Sequence, residues 1–127
     1  MADMEGILGC LKATAEATRL RLLALFTKGE LTVTEVTQVL RQSQPRVSRH
    51  LKLMSEAGLI ERIKEGSWVF YRLTEEGPAR AVAQRLSELI PWDDVVLKRD
   101  LERLESVRKQ RHDDAQKYFA SNATEWD

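Results

Sequence analysis

Two short amphipathic segments joined by three residues are the feature that most constrains the fold of this chain. Apolar residues recur at steps of three and four through residues 31–40, and a second helical pattern follows directly. Ser43 is the predicted N-cap of that second helix, and Pro45 fits its first turn, where a missing N–H is tolerated. Since only Arg41, Gln42 and Ser43 join the two segments, the spacing predicts a helix-turn-helix.

The segments on either side of this pair complete the predicted fold. Two helices are expected before it, the second with Thr18 as its N-cap and ended by Gly29. After it, β-branched and aromatic residues flank a turn at residues 64–67, which predicts a β-hairpin. Further helices are expected over residues 78–90 and 94–119. A chain of 127 residues has room for one core, so the prediction is a single mainly α fold with a small β-hairpin.

Positive charge is concentrated on the second helix of the pair. The whole chain has 20 basic and 20 acidic residues, so its bulk charge gives no reason to expect nucleic acid. Residues 41–52, however, include four basic residues and no acidic one. On a helical projection Val47, Leu51 and Met54 share one side, and Arg49 and Lys52 lie on the other. This pattern predicts a DNA-binding face, with an ordinary solvated helix face as the alternative.

Eight residues are candidate DNA contacts. Residues near the start of the second helix suit base edges, because recognition helices usually direct their N-terminal residues into the major groove. Lys52 lies further along and suits a phosphate. The hairpin is interpreted as a wing that contacts the DNA backbone, with a solvated turn as the alternative. His50 lies near the packed side and is expected to be structural, with a DNA contact as the alternative. The candidates are Ser43, Gln44, Arg46, Ser48, Arg49, Lys52, Arg62 and Lys64.

The last predicted helix has a narrow apolar seam on an otherwise charged surface. Such a seam is typical of pairing with another helix rather than burial in a core. The seam consists of Leu97, Leu101, Leu104 and Val107.

Several segments resemble the ArsR/SmtB family of bacterial repressors, over about residues 10–75 of the chain. The family implies a winged helix-turn-helix that forms a homodimer through its first and last helices, binds an imperfect palindrome in double-stranded DNA and leaves it when an effector binds. Residues 1–92 would then form the DNA-binding domain and residues 93–119 the dimerisation helix. The dimer interface would include Leu8, Leu11, Leu97, Leu101 and Leu104. The matching segments are residues 17–23, 30–36, 44–52, 56–60 and 69–73.

The positions where this family binds metals have unsuitable ligands here. The cysteine-rich motif corresponds to residues 32–34, where Thr32 and Thr34 replace both thiolates, and hydroxyls bind soft metals poorly. Cys10 alone cannot replace them and is expected to be a small buried apolar residue. A second family site, on the last helix, has no histidine in register, because His112 is displaced by one position. We expect no metal site and interpret the matching residues as a solvated face; they are Asp100, Glu102, Asp113 and Gln116.

Residues 111–127 resemble the junction between ArsR-family regulators and a fused S-adenosylmethionine-dependent methyltransferase-like domain. Tyr118-Phe119 and Trp126-Asp127 are similar to the opening of that domain. The resemblance implies a longer native protein in which residues 120–127 begin a further domain that binds S-adenosylmethionine or S-adenosylhomocysteine. No cofactor is expected within the chain itself, since no glycine-rich loop between strand and helix is present.

Features that the sequence lacks argue against an enzyme, a membrane protein and a secreted protein. With two histidines and no nucleophile beside a base, the chain is not expected to be an enzyme. No apolar run is long enough for a membrane span and the N-terminus is not a secretory signal, so a cytoplasmic protein is expected. The main alternative to a DNA-binding regulator is a winged-helix protein-interaction module that does not bind DNA.

Overall fold

A computed structural model describes residues 3–125 of the chain, with side chains described as far as residue 120. Helices predominate, and a three-stranded antiparallel sheet lies on one side of them. None of the helices within residues 3–125 is both long enough and apolar enough to cross a membrane. The elements are α1 (Met4–Thr14), α2 (Ala17–Phe26), β1 (Leu31–Thr32), α3 (Val33–Leu40), α4 (Gln44–Glu56), β2 (Ile60–Glu65), β3 (Trp68–Leu73), α5 (Ala79–Glu88) and α6 (Val95–Glu125).

Helix α2 is the centre of the core, and its start differs from the sequence-based expectation. Leu22, Leu23 and Leu25 are all fully or almost fully buried, so α2 is packed on more than one side. The predicted N-cap, Thr18, is wrong: it lies inside the helix, and the side chain of Glu16 accepts the cap hydrogen bond from Arg19 N at 3.0 Å. Threonine is a favoured N-cap residue and glutamate is not, so local preference pointed to Thr18 rather than to Glu16.

The segment predicted as one helix over residues 31–40 is divided by the structure into a strand and a helix. Leu31 and Thr32 pair with Tyr71 and Phe70 of β3 and form β1 at the edge of the sheet. Thr32 then caps α3: its Oγ1 accepts from Glu35 N at 3.2 Å, and Glu35 Oε1 accepts from Thr32 N at 2.9 Å. This capping box fixes the first turn of α3 directly after the strand.

The predicted hairpin is confirmed. Strands β2 and β3 pair from Ile60 with Leu73 to Glu65 with Trp68, which leaves a two-residue turn. Gly66 has a φ of 62° in this turn, a conformation that an L side chain rarely adopts. The helices, the three-residue turn and the hairpin together form a winged helix-turn-helix, as expected from the sequence.

The apolar seam of α6 lies mostly in the chain's own core, which corrects the expectation of pairing with another helix. Leu97 and Leu104 are 6% and 2% exposed, and Leu101 and Val107 pack against the same core. Leu97 and Leu104 therefore offer little surface to a second subunit, whereas Leu101 is only partly buried and its place in a dimer interface stays a prediction. A periodicity of three and four residues marks the buried side of a helix but does not say whether the same chain or a partner buries it.

Asp100 is a second correction, because it was interpreted as part of a solvated face. It is 2% exposed and accepts two hydrogen bonds from Arg21, from Nε at 2.8 Å and from Nη2 at 2.9 Å. The hydrogen bonds that Arg21 donates to Asp100 favour the charged form of the guanidinium and raise the pKa of Arg21 above its ordinary value. This ion pair joins the first turns of α6 to α2.

Candidate nucleic-acid interface

The orientation of α4 is set by its apolar side. Val47, Leu51 and Met54 are each 0% exposed and pack into the core. Burying three residues at this spacing fixes the rotation of the helix about its axis. The opposite face therefore points into solvent.

The DNA contacts predicted on and next to α4 all lie on its exposed face. Gln44, Arg46, Arg49 and Lys52 are exposed and Ser48 is half-buried. Ser43 is the N-cap, as predicted, but its side chain makes no capping hydrogen bond, so its hydroxyl is available to a ligand. Within residues 3–120, no carboxylate forms an ion pair with the basic residues of this face. We call the surface formed by these six residues the basic face of α4; they are Ser43, Gln44, Arg46, Ser48, Arg49 and Lys52.

The turn before α4 is anchored to the core by contacts that the sequence analysis did not identify. Gln42 Nε2 donates to Thr18 Oγ1 of α2 at 3.2 Å, so the turn is tied to the central helix. Arg41 has a φ of 55°, in the left-handed region. The left-handed residue ends α3 and redirects the chain into α4, which separates the two helix axes within three residues.

His50 provides a second anchor, from the side of α4 to α2. Its Nδ1 lies 3.1 Å from Arg19 Nη1 and 3.8 Å from Glu16 Oε2. Burial lowers the pKa of His50, and Arg19, Arg46 and Arg49 lower it further against the opposing effect of Glu16. A neutral imidazole whose Nδ1 accepts from Arg19 fits these contacts. The expectation of a structural histidine agrees with this geometry.

The wing places its two predicted contacts on one strand. Arg62 and Lys64 are exposed in β2 and, being two residues apart, project from the same face of the sheet. Glu61, on the other face, accepts from Arg72 Nε at 2.7 Å. Glu65, the other carboxylate of this strand, alternates to the same face as Glu61, so both project away from Arg62 and Lys64.

Helix α1 exposes apolar side chains that the chain itself does not cover. Leu8 and Leu11, which were predicted at a dimer interface, are 44% and 43% exposed, and Met4 and Ile7 are exposed as well. Large apolar side chains that keep this much of their surface exposed in the single chain are available to a partner. Their role in a dimer stays a prediction.

The metal-sensing positions are engaged in structural contacts. Thr32 caps α3, and Asp100 pairs with Arg21. Cys10 is buried, its Sγ donates to Ala57 O at 3.5 Å, and burial raises the pKa of its thiol, which disfavours the thiolate that metals bind. In the part of the chain that the structure describes, no three histidine, cysteine or acidic side chains cluster as they would around a metal ion.

Comparison with known proteins relates this fold to one family. The sequence profile of bacterial regulatory proteins of the arsR family matches residues 16–62, from the start of α2 into the wing. HlyU from Vibrio cholerae N16961 is 32% identical, with a TM-score of 0.60, and the match covers 70% of this chain and 97% of HlyU. The chain belongs to the ArsR family of bacterial regulatory proteins.

Two further ArsR-family comparisons extend this result. The arsenical resistance operon repressor of Escherichia coli (strain K12) is 46% identical over 71 residues, which are 55% of this chain and 61% of the repressor. The chain thus matches about three fifths of that relative's length. The homodimeric winged helix-turn-helix DNA-binding domain of a Mycobacterium bovis protein has a TM-score of 0.59 at 25% identity, and the match covers 68% of this chain and 76% of that domain.

Proposed function

We propose that this ArsR-family protein is a sequence-specific DNA-binding transcriptional regulator. The observation that carries the proposal is the basic face of α4, where three exposed basic residues have no carboxylate partner within residues 3–120 although the chain as a whole is neutral. Unpaired cations on an exposed recognition helix attract phosphates and release the counterions bound to DNA. The names of its relatives, among them a repressor and a DNA-binding domain, support the same function.

The positions along α4 suggest how the contacts divide. Gln44, Arg46 and Ser48 lie in the first two turns and would contact base edges; glutamine suits adenine and arginine suits guanine. Arg49 would contact either a base or a phosphate, and Lys52, further from the helix start, a phosphate. On the wing, Arg62 and Lys64 would contact the backbone beside the main groove.

The proposed active form is a homodimer on an imperfect palindrome. The exposed apolar side chains of α1 support a second subunit, and the Mycobacterium bovis neighbour is itself homodimeric. Two subunits would double the phosphate contacts and fix the spacing of the two half-sites. We propose repression in the cytoplasm, with release of the DNA when an effector binds.

The test is selection of bound fragments from a random DNA pool, followed by titration of the best fragment at two salt concentrations. A palindromic site is expected, with an affinity that falls steeply with salt, by a slope of about 0.9 for each phosphate contact. If no fragment is enriched above non-specific binding, the proposal fails. The winged-helix protein-interaction module then becomes the better explanation of the fold.

A longer native protein is proposed on the resemblance of residues 111–127 alone. Tyr118 and Phe119 lie within α6, exposed, with their rings edge to face at 5.7 Å, whereas Trp126 and Asp127 lie outside the described residues. A following domain would bind S-adenosylmethionine or S-adenosylhomocysteine and provide the effector signal. Intact mass of the native protein tests this proposal, and a mass near 14.6 kDa would contradict it.

A further inference from the structure

A cleft of about 480 Å³ lies beside the wing, away from the basic face of α4. It is formed where β3 begins, where α3 begins and where α6 passes over them. Small organic ligands commonly occupy clefts of about 300–1,000 Å³ with mainly apolar walls and a few polar groups. This cleft falls within that range.

Two aromatic rings form its apolar side. Trp68 and Phe70 are two residues apart on β3, so their side chains project from the same face of the sheet. Phe70 is half-buried, whereas Trp68 is 65% exposed, which is a large exposure for an indole. Val107 of α6 also lines the cleft. The exposed indole of Trp68 is thus available to stack on a ligand in the cleft.

The charged groups of the cleft leave one negative charge without a cationic partner. Arg111 donates to Glu35 Oε2 through Nε at 2.6 Å and also through Nη2, so these two charges neutralise each other. Asp114 lies one turn further along α6 and accepts only from the neutral amide of Gln110, at 2.9 Å. No ion pair involves Asp114 among the side chains of residues 3–120.

We infer that this cleft binds a flat aromatic organic cation, stacked on Trp68 with its charge facing Asp114. Aromatic rings attract cations through the negative potential of their faces, and tryptophan does so most strongly. The unneutralised carboxylate adds to this attraction and repels an anion of the same shape. The two features select one class of ligand by charge as well as by shape.

The position of the cleft gives such a ligand a route to the DNA-binding elements. Glu35 both pairs with Arg111 and caps α3, the first helix of the helix-turn-helix, and Trp68 begins the second strand of the wing. A ligand that prefers one arrangement of these groups changes DNA affinity by the same factor by which DNA changes ligand affinity. This coupling rests on the proposed function, whereas ligand binding itself does not.

The test uses calorimetric titration of the DNA-free chain with 1-methylquinolinium as the cationic probe and 1-naphthoate as an anion with a similar ring system. We expect the cation to bind measurably better than the anion. Trp68→Ala should weaken cation binding about tenfold through loss of the stacked ring. Asp114→Asn should weaken it about fivefold, because the carboxylate is exposed to screening solvent. Asp113→Asn is the matched control, since it removes the same charge from the neighbouring position outside the cleft.

Protein NMR locates the bound probe. The indole N–H signal of Trp68, assigned by its loss in the Trp68→Phe variant, should shift with the cation, and the signal of Trp92 should not. The inference is overturned if the two probes bind equally, if Asp113→Asn and Asp114→Asn have the same effect, or if the cation binds more weakly than about 1 mM. A separate titration with operator DNA measures the coupling, so its failure leaves the binding result intact.

Discussion

Helices α4 and α6 both carry charged residues, and α6 uses two of them in ion pairs with residues of α2 and α3. On α4, Arg46, Arg49 and Lys52 have no carboxylate partner within residues 3–120. On α6, Asp100 is held by Arg21 and Arg111 is held by Glu35. In a chain with zero net charge, the arrangement of carboxylates rather than the number of basic residues distinguishes a surface for nucleic acid from a structural one.

The two ion pairs of α6 also differ in burial. The side chains of Arg21 and Asp100 are 19% and 3% exposed, whereas those of Arg111 and Glu35 are 48% and 11% exposed. Removing one partner of a buried pair leaves an uncompensated charge away from water, whereas solvent screens part of the interaction in a pair with one exposed partner. The two ends of α6 should therefore contribute unequally to stability.

The largest effect is expected at the buried pair. Asp100→Asn leaves the guanidinium of Arg21 without its counter-charge and should lower the free energy of unfolding by about 3 kcal/mol. Urea denaturation followed by circular dichroism, at one fixed protein concentration, measures the change. Glu102→Gln, at an exposed position of the same helix, is the control and should alter stability by less than about 0.5 kcal/mol. Equal losses for the two variants would mean that the Arg21 contact is not a stabilising one.

The basic face of α4 should show the reverse pattern, with a large loss of binding and little loss of stability. Arg46→Ala with Arg49→Ala should weaken operator binding by at least about 100-fold, since each base or phosphate contact contributes about 1–3 kcal/mol. Fluorescence anisotropy with the selected DNA measures the affinity. Arg85→Ala with Arg99→Ala removes the same charge from exposed positions of α5 and α6 and is the matched control. If both double variants lose affinity equally, the binding is an effect of net charge rather than of α4.

The partly exposed pair of α6 provides the contrast with Asp100. Arg111→Ala should lower the free energy of unfolding by about 1 kcal/mol, less than Asp100→Asn, because solvent screens the half-exposed guanidinium and Glu35 still accepts a hydrogen bond from Thr32 N. The same denaturation experiment applies, and Lys109→Ala, an exposed residue of the same helix, is the control. A loss as large as that of Asp100→Asn would show that contacts of the distal part of α6 stabilise the fold as much as those of its first turns.

Local patterns in the sequence predicted the helix-turn-helix, the hairpin and the outward face of α4, because each depends on residues a few positions apart. Strand β1 was missed since two residues are too few for a pattern and their partners in β3 are far away in sequence. The Arg21–Asp100 pair spans 79 positions, so no local rule could separate Asp100 from the solvated acids of α6. The leucine seam of α6 was recognised from the sequence. That the core of the same chain buries most of this seam was not predicted.

In the candidate site, too, features that depend on nearby residues were predicted and features that depend on residues distant in sequence were not. The residues of the basic face were found from the helical period, whereas the anchors that hold the face in place were not. Gln42 contacts Thr18 and His50 contacts Arg19 only because α2 crosses beneath the turn and α4. Such contacts follow from the packing of helices distant in sequence, and the residue types alone do not indicate them.

The smallest expected effect tests the anchor at His50. Burial lowers the pKa of His50 in the folded chain, and the unfolded chain returns it to about 6.5. As the pH falls through 6.5, the unfolded state gains a proton that the folded state does not, so the free energy of unfolding decreases until the pH reaches the lowered folded value. His50→Gln removes this dependence.

Denaturation at about pH 7.5 and about pH 5.5 isolates the contribution of this histidine, because the other titrating groups are common to the wild type and His50→Gln. The wild type should lose more stability than the variant over this interval. Parallel losses would mean that His50 is protonated in the folded state. In that case its imidazolium would face Arg19, Arg46 and Arg49 with Glu16 to compensate, and the basic face would be held under charge repulsion rather than by a hydrogen bond from Arg19 to a neutral imidazole.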